Sequence, residues 1–308
     1  MRADPLDRLP PIAPPTRSGL RIRVIHNPRA ARRRHRRFAQ VLRQLHAAGH
    51  EVEVVETARA GDAAGHVRSA RRAGVDLIAI AGGDGTFNDA LQGVSPDTPP
   101  LGLIPLGTAN VLAHELGIGT RPARIVEALT AGRVRSVLPG EIAGRRFMMM
   151  AGVGLDAQVV ASVPRPVKAR LGKAAYVLEV IRTLLRWRGA DLRLRIGDEM
   201  LEAGTAIFSR GRHYGGRFVL APHCDLFRPH LQLIRFPRGG ALSVFLRFLV
   251  IPSGQLVRLG LAEERAVASL EIVAPAGEPI QADGDIVARV PATIRLCDQP
   301  VRLCVPAG

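Results

Sequence analysis

Apolar positions follow two periods along the first half of this chain, and the two periods alternate. Leu20 to His26 reads as a strand, and Phe38, Val41, Leu42 and Leu45 fall at i, i+3, i+4 and i+7 to make one stripe of a helix over about Ala31 to Ala48. Arg32, Arg33, Arg36 and Arg43 take the other side of that helix. A strand at Glu51 to Val55, a helix over about Asp62 to Ala73 and a strand at Val75 to Ala81 follow. Val75, Leu77, Ile78 and Ile80 form a nearly continuous apolar run, the pattern of a strand covered on both faces. A short strand at Leu101 to Pro105 then precedes a helix beginning near Thr108. Strands alternating with helices at this spacing predict βαβ units and a parallel sheet.

Beyond about Pro139 the pattern changes to short β-like runs punctuated by Gly and Pro: Phe147 to Met150, Leu192 to Ile196, Ala203 to Phe208, Leu231 to Phe236, Leu270 to Val273 and Thr293 to Leu296. A helix over about Ala169 to Arg188 and another around Leu242 to Leu249 interrupt them. The chain of 308 residues is about twice a typical domain length. The expected fold class is α/β: a parallel α/β domain over 20–138, then an all-β or β-rich domain over 139–308. Residues 1–19 hold five prolines and no apolar core, so they read as a flexible arm and not as an export signal.

Composition adds charge to this picture. Apolar residues at 47% and charged residues at 23% are those of a folded globular chain, while the net charge is +16. Lys168 and Lys173 are the only lysines, so the basicity is almost entirely arginine, in part a signature of GC-rich coding sequence. A basic surface favours anionic partners: phosphates, acidic headgroups or nucleic acid. Aromatic residues at 4% leave few platforms for stacking bases, which argues against a nucleic-acid partner. Cys224, Cys297 and Cys304 have no metal-type or paired spacing, and a reducing cytoplasm is expected. Phe147 to Val163 is too short for a bilayer span and holds Asp156, and Leu242 to Ile251 is broken by Arg247; membrane contact is therefore expected to be peripheral.

The candidate chemistry is concentrated in Gly82-Gly83-Asp84-Gly85-Thr86-Phe87-Asn88-Asp89, directly after a predicted strand and opening a helix. Glycines let backbone approach a ligand, and a helix N-terminus offers free N–H groups to phosphate. Asp84 faces phosphate poorly unless a Mg²⁺ bridges them. The plain alternative is a tight βα turn. Pro105-Leu106-Gly107-Thr108-Ala109-Asn110 repeats the arrangement one strand later, and two such turns converge at the carboxyl edge of a parallel sheet, where open α/β sheets bind ligands. Neither has the lysine of a P-loop. Arg29, Arg32, Arg33 and Arg34 crowd a helix N-terminus, where each close charge costs roughly 0.3–1 kcal/mol unless an anion sits there.

These blocks resemble the diacylglycerol kinase catalytic domain superfamily, which includes bacterial lipid kinases and sphingosine and ceramide kinases. Asn27-Pro28 is similar to the opening of the family's NPxSG nucleotide motif, Thr57 stands where a nucleotide-contacting Thr is found, and the GGDGT and PLGTAN blocks match at the expected spacing. Ala151-Gly152-Val153-Gly154-Leu155-Asp156, Leu171-Gly172-Lys173, Gly211-Arg212-His213-Tyr214-Gly215-Gly216 and Ala221-Pro222 resemble its later blocks. The resemblance implies transfer of the ATP γ-phosphoryl group to a lipid hydroxyl with Mg²⁺, in a cleft between an N-terminal Rossmann-like nucleotide domain and a C-terminal β-sandwich whose last strand is free to return to the first domain. It implies nucleotide contacts from Asn27, Pro28, Arg29, Thr57, Gly82, Gly83, Asp84, Gly85, Thr86, Asn88, Gly107, Thr108 and Asn110, with Asp84 beside the catalytic Mg²⁺. The family's proton-accepting DGE reads Asp283-Gly284-Asp285 here, so Asp285 is the expected base, with Asp283 next to it.

Four departures stand out. Asn27-Pro28-Arg29-Ala30-Ala31 lacks the Ser and Gly of NPxSG, Asp285 shortens the usual Glu, and Asn88-Asp89 shortens Asn-Glu. Where the family carries an acidic segment tied to a structural Mg²⁺, Leu226-Phe227-Arg228-Pro229-His230-Leu231-Gln232 puts Arg228 and Gln232 in place of carboxylates, so a second metal is expected to be absent. Arg182, Arg186, Trp187 and Arg188 form a candidate contact with an anionic inner-membrane surface. The competing readings are a nucleotide- or lipid-binding relative without turnover, and an NAD kinase, whose Gly- and Thr-rich substrate block is missing. Acceptor lipid and oligomeric state are not legible in the residues.

Overall fold

The computed structural model describes residues 19–31, 34–162, 189–239, 243, 246–247 and 250–307. The predicted arm, the helix over about Ala169 to Arg188 with its Leu171-Gly172-Lys173 block, and most of the helix around Leu242 to Leu249 lie outside the described residues.

The N-terminal unit runs β1 (Arg21–His26), α1 (Pro28–Ala31), α2 (His35–Ala47), β2 (Glu51–Glu56), α3 (Asp62–Ala70), β3 (Leu77–Gly82) and α4 (Asp84–Leu91). It continues through β4 (Leu101–Pro105), α5 (Val111–Glu115), α6 (Pro122–Thr130) and β5 (Arg133–Val137). The single basic helix expected over about Ala31 to Ala48 is two helices, a four-residue turn of helix after Asn27 and then α2. The predicted stripe holds in α2: Phe38, Val41 and Leu45 are buried, and the Phe38 ring stacks on His26 at 4.2 Å. β3 is buried at every position, as its unbroken apolar run requires, and it lies inside the sheet order β2-β1-β3-β4-β20-β5.

The remaining strands are β6 (Gly140–Ile142), β7 (Arg145–Phe147), β8 (Met150–Val153), β9 (Leu192–Ile196), β10 (Glu199–Ala203), β11 (Thr205–Ser209), β12 (His213–Tyr214) and β13 (Phe218–Val219). They continue with β14 (Leu231–Phe236), β15 (Glu263–Val267), β16 (Ser269–Ala274), β17 (Pro279–Ala282), β18 (Asp285–Arg289), β19 (Ala292–Leu296) and β20 (Val301–Val305). Helix α7 (Leu155–Ser162) follows β8. Two six-stranded sheets, β10-β9-β16-β19-β6-β7 and β15-β14-β11-β8-β17-β18, form an antiparallel sandwich. Alternation along the strands sorts the apolar side chains by face. Ala206, Phe208, Leu231 and Leu233 pack between the sheets with Phe147, Ile272 and Ile294, while Ile207, Ile234 and Phe236 pack with Leu256 in a separate core.

Two features tie the units together. β20 lies in the N-terminal sheet, parallel to β4 and antiparallel to β5. Met148, Met149 and Leu226 belong to the N-terminal core, and Arg135 of β5 stands over the Phe227 ring at 3.4 Å. The strand expected over Phe147 to Met150 is broken there into β7 and β8, because the amides of Met148 and Met149 turn to the side chain of Asp283.

Candidate active site

The two glycine turns meet. In the parallel register Gly82 stands beside Pro105, and the amides of Leu106 and Gly107 donate to the Gly82 carbonyl at 2.8 and 3.2 Å. A Cβ on Gly107 would lie 2.4 Å from Gly83 Cα and one on Gly83 would lie 3.0 Å from Gly107 Cα, so only glycines allow this approach. By contrast a Cβ on Gly85 would meet nothing within 4 Å: it borders open space.

That space is a cleft of about 380 Å³ lined by Asn27, Arg29, Thr57, Gly85, Thr86 and Asp285, together with Ala58, Arg59, Ala60, Asp89 and Arg145. The cleft therefore draws on the ends of β1 and β2, the start of α4, and the β7 and β18 strands of the sandwich. Its polar groups are held from behind. Asn27 donates to Thr86 Oγ1 at 3.0 Å and accepts from the amide of Arg29 at 3.1 Å, which joins the Asn-Pro turn to the GGDGT turn. Asp89 accepts from the amides of Gly61 and Ala63, and Asp62 from those of Ala58 and Arg59, so the loop after Thr57 is stapled by two carboxylates. Arg34 and Arg37 donate to the carbonyls of Leu106 and Pro105, fixing the second glycine turn to α2. Of the arginines expected to crowd the helix end, Arg29 lines the cleft, Arg34 is committed to this carbonyl, and Arg32 and Arg33 lie outside the described residues.

The other candidates sit around the cleft without lining it. Asp84 opens α4 and accepts from the amide of Leu112 at 3.2 Å, reaching across to α5. Asn110 has φ +48°, a conformation Asn tolerates, and donates to the Gly107 carbonyl. Asn88 is buried and accepts from Gln92, Pro28 begins α1, and Thr108 stands in the turn after Gly107.

Asp283 and its neighbour divide their roles. The Asp283 carboxylate turns inward and accepts from Met148 at 2.7 Å, Met149 at 3.0 Å and Met150 at 2.9 Å. Burial pushes its pKa up to about 6; the three N–H bonds pull it down and the charge of Asp84 pushes it up again. Asp283 is thus the anchor of the turn, and Asp285 two residues later faces the cleft. The turn is also held from the other side: Gly284 donates to Gln281, Gln281 donates to Asp156 at 2.6 Å, and Tyr214 donates to the same carboxylate at 2.6 Å. Burial raises the Asp156 pKa against these two bonds. His213, adjacent to Tyr214, pairs with the buried Glu115 of α5 at 2.6 Å, so one hairpin touches both units.

The fourth departure has a different cation from the expected one. The Arg228 side chain is exposed beside Asp225, and the charge inside the loop is that of Arg210. Arg59 and Arg145 are the site residues that sequence reasoning missed. Neither lies in a motif, and Arg145 is brought to the cleft by the β6–β7 hairpin.

An α/β unit whose glycine turns open onto a cleft completed by a β-sandwich is the architecture of one kinase class, and the chain belongs to the diacylglycerol kinase family. Residues 21–142 match the family model described as diacylglycerol kinase catalytic domain, and residues 149–305 match that described as YegS C-terminal NAD kinase beta sandwich-like domain. The chain is 32% identical over 212 residues to a diacylglycerol kinase of Bacillus subtilis strain 168, covering 67% of this chain and 70% of that one. It is 25% identical over 289 residues to a diacylglycerol kinase of Staphylococcus haemolyticus, covering 92% and 88%. In fold it is similar to the crystal structure of a diacylglycerol kinase from Bacillus anthracis Sterne, with a TM-score of 0.74 at 23% identity over 92% of this chain and 96% of that one.

Proposed function

We propose that this chain is an ATP- and Mg²⁺-dependent lipid kinase that phosphorylates a hydroxyl of diacylglycerol or a related lipid. The observation that carries the reading is the shared cleft: the glycine turn of the N-terminal unit and Asp285 of the sandwich border the same space. Arg29, Arg59 and Arg145 line it without a lysine, a donor set suited to a polyphosphate.

The residues present fit both groups. The Gly83–Gly107 approach and the open face of Gly85 leave room for phosphate against backbone. Mg²⁺ is commonly held by one or two carboxylates plus substrate phosphates and water. Asp84 is the carboxylate for it. When bound, MgATP supplies the γ-phosphoryl group and offsets the charge of the phosphates.

The chain's own part is positioning and proton management. The lipid hydroxyl oxygen forms the new bond to the γ-phosphorus as the bond to the bridging β,γ-oxygen breaks, and Asp285 takes the hydroxyl proton. Asp283 and Gln281 hold the turn that aims Asp285, while Arg29, Arg59 and Arg145 balance charge on the phosphate oxygens. The net charge of +16 supports peripheral work at an anionic membrane surface, and among the described residues no helix is long and apolar enough to cross one. The arginines around Trp187 lie outside the described residues.

Radiolabelled ATP, Mg²⁺ and detergent-dispersed lipid test the reading, with chromatography of the lipid product. Labelled lipid that disappears in Asp285→Asn, while nucleotide affinity persists, is the expected result. Nucleotide binding without a labelled lipid would instead make the chain a regulatory relative, and no nucleotide binding would sink both.

A further inference from the structure

Arg210 is the largest fully buried side chain among the described residues, with none of its surface exposed. Its guanidinium faces main-chain oxygens on every side: Nε donates to the Leu138 carbonyl at 2.8 Å, Nη2 to Leu226 at 2.6 Å, and Nη1 to Arg228 at 2.9 Å and to His230. Four of its five N–H donors are thereby satisfied, none by a carboxylate. Three of the four carbonyls come from one irregular stretch, residues 226–230, and the fourth from the residue just after β5. The carboxylate whose charge acts on Arg210, that of Asp225, is itself engaged elsewhere: it caps the amide of Phe227 and pairs with the exposed side chain of Arg228 at 3.8 Å.

Carbonyl oxygens converging on a point make a cation site, because their dipoles place partial negative charge at its centre. Without a cation between them the carbonyls of Leu138, Leu226 and His230 would lose the donor they have here, while that of Arg228 would keep the amide of His230 at 2.9 Å. We propose that Arg210 is a resident cation: residues 138 and 226–230 form an internal cation cage that the chain fills with its own guanidinium, leaving no place for a divalent ion there. The departure at Arg228 and Gln232 follows. With a charge already inside the cage, a carboxylate ligand set is unnecessary, and the residues present do not fit a structural Mg²⁺.

The cage sits against the catalytic turn. The amide of Arg210 donates to the Met149 carbonyl at 2.8 Å, and the amides of Met148 to Met150 hold Asp283. Leu226 lies in the N-terminal core while Arg210 follows directly on β11, so the guanidinium ties the two units at the point where the cleft is assembled.

Chemical rescue in the full-length protein tests this without using phosphoryl transfer as a readout. Arg210→Ala is expected to melt about 10 °C below wild type. Millimolar methylguanidinium should recover a saturable part of that loss, an equal concentration of sodium chloride should not, and wild type should be unaffected by either. If Arg210→Ala does not fold, Arg210→Lys is tested by its midpoint alone: an ammonium cannot span four acceptors, so the midpoint should fall, and because the lysine fills the cage methylguanidinium should not restore it. Separately, the melting midpoint of an Asp84→Asn variant without nucleotide should be the same in EDTA and in MgCl₂. A midpoint for the arginine variants equal to wild type, a loss in Arg210→Ala that methylguanidinium does not recover, or a Mg²⁺-dependent midpoint in the Asp84→Asn background would overturn the proposal.

Discussion

Replacing Asp283 by Asn isolates the balance between burial and hydrogen bonding at the base of the turn that carries Asp285. Two influences oppose each other there. Burial, aided by the charge of Asp84, raises the carboxyl pKa, and three amide donors lower it; the outcome is a value near 6 against the ordinary 3.8. Between those two values the folded state binds a proton that the unfolded state has released. Stability therefore falls as pH rises through that window and stays low above about 6. At 1.36 kcal/mol per pH unit the loss is about 3 kcal/mol. Asn keeps the shape, tolerates the φ of +46° at this position and does not titrate. Oδ1 already serves Met149 and Met150, so the carboxamide NH₂ would face the amide of Met148, a constant penalty of about 1–3 kcal/mol. Urea titrations of both proteins in EDTA, from pH 4 to pH 7, should show the wild-type advantage shrinking by about 3 kcal/mol and approaching zero or reversing. An advantage that is flat, or that grows with pH, would mean that the three N–H bonds outweigh burial, and the reasoning would fail.

Three further outcomes are expected. Gly107→Ala drives a Cβ to 2.4 Å from Gly83 Cα, so it should cost about 1–3 kcal/mol of stability and weaken nucleotide binding, read by urea titration and by calorimetry with a non-hydrolysable nucleotide. Arg145→Gln, at an exposed position, should lower kcat/KM for ATP about 10- to 100-fold while leaving the melting midpoint in place; a shifted midpoint with unchanged kinetics would refute its role at phosphate. Co-sedimentation with phosphatidylglycerol vesicles should be strong at low salt and weak at high salt, and each Arg→Gln change at Arg182 or Arg186 should remove about 1 kcal/mol of it.

The alternation of strand and helix to about Thr108 was legible because each element keeps one period, and β3 could be placed inside the sheet from its unbroken apolar run alone. The break at Met148 and Met149 was not, since three consecutive methionines look like any buried strand. Only the distant Asp283 shows why their amides leave the ladder. In the site, Asn27, Arg29, Thr57, Gly85, Thr86 and Asp285 were found through motifs, and the structure brings them to one cleft. Arg59 and Arg145 were not, because they are two among many arginines and only tertiary structure sets them apart. The same holds for Arg210: from sequence the exchange at Arg228 and Gln232 looks like a local change, whereas the cation inside the loop comes from a residue about twenty positions earlier.

The insertion of β20 between β4 and β5 gives the molecule an order of assembly. On a ribosome, every residue of the glycine turns emerges long before Val301–Val305 does, and until then β4 presents an unpaired edge next to the second glycine turn. The nascent cleft must wait, incomplete, for the sandwich to be synthesised. An N-terminal fragment ending at 142 would for the same reason emerge as a sheet with a gap, prone to capture a foreign strand. Isolating the N-terminal unit as a folded piece calls for grafting the final strand back on, as a circular permutant would.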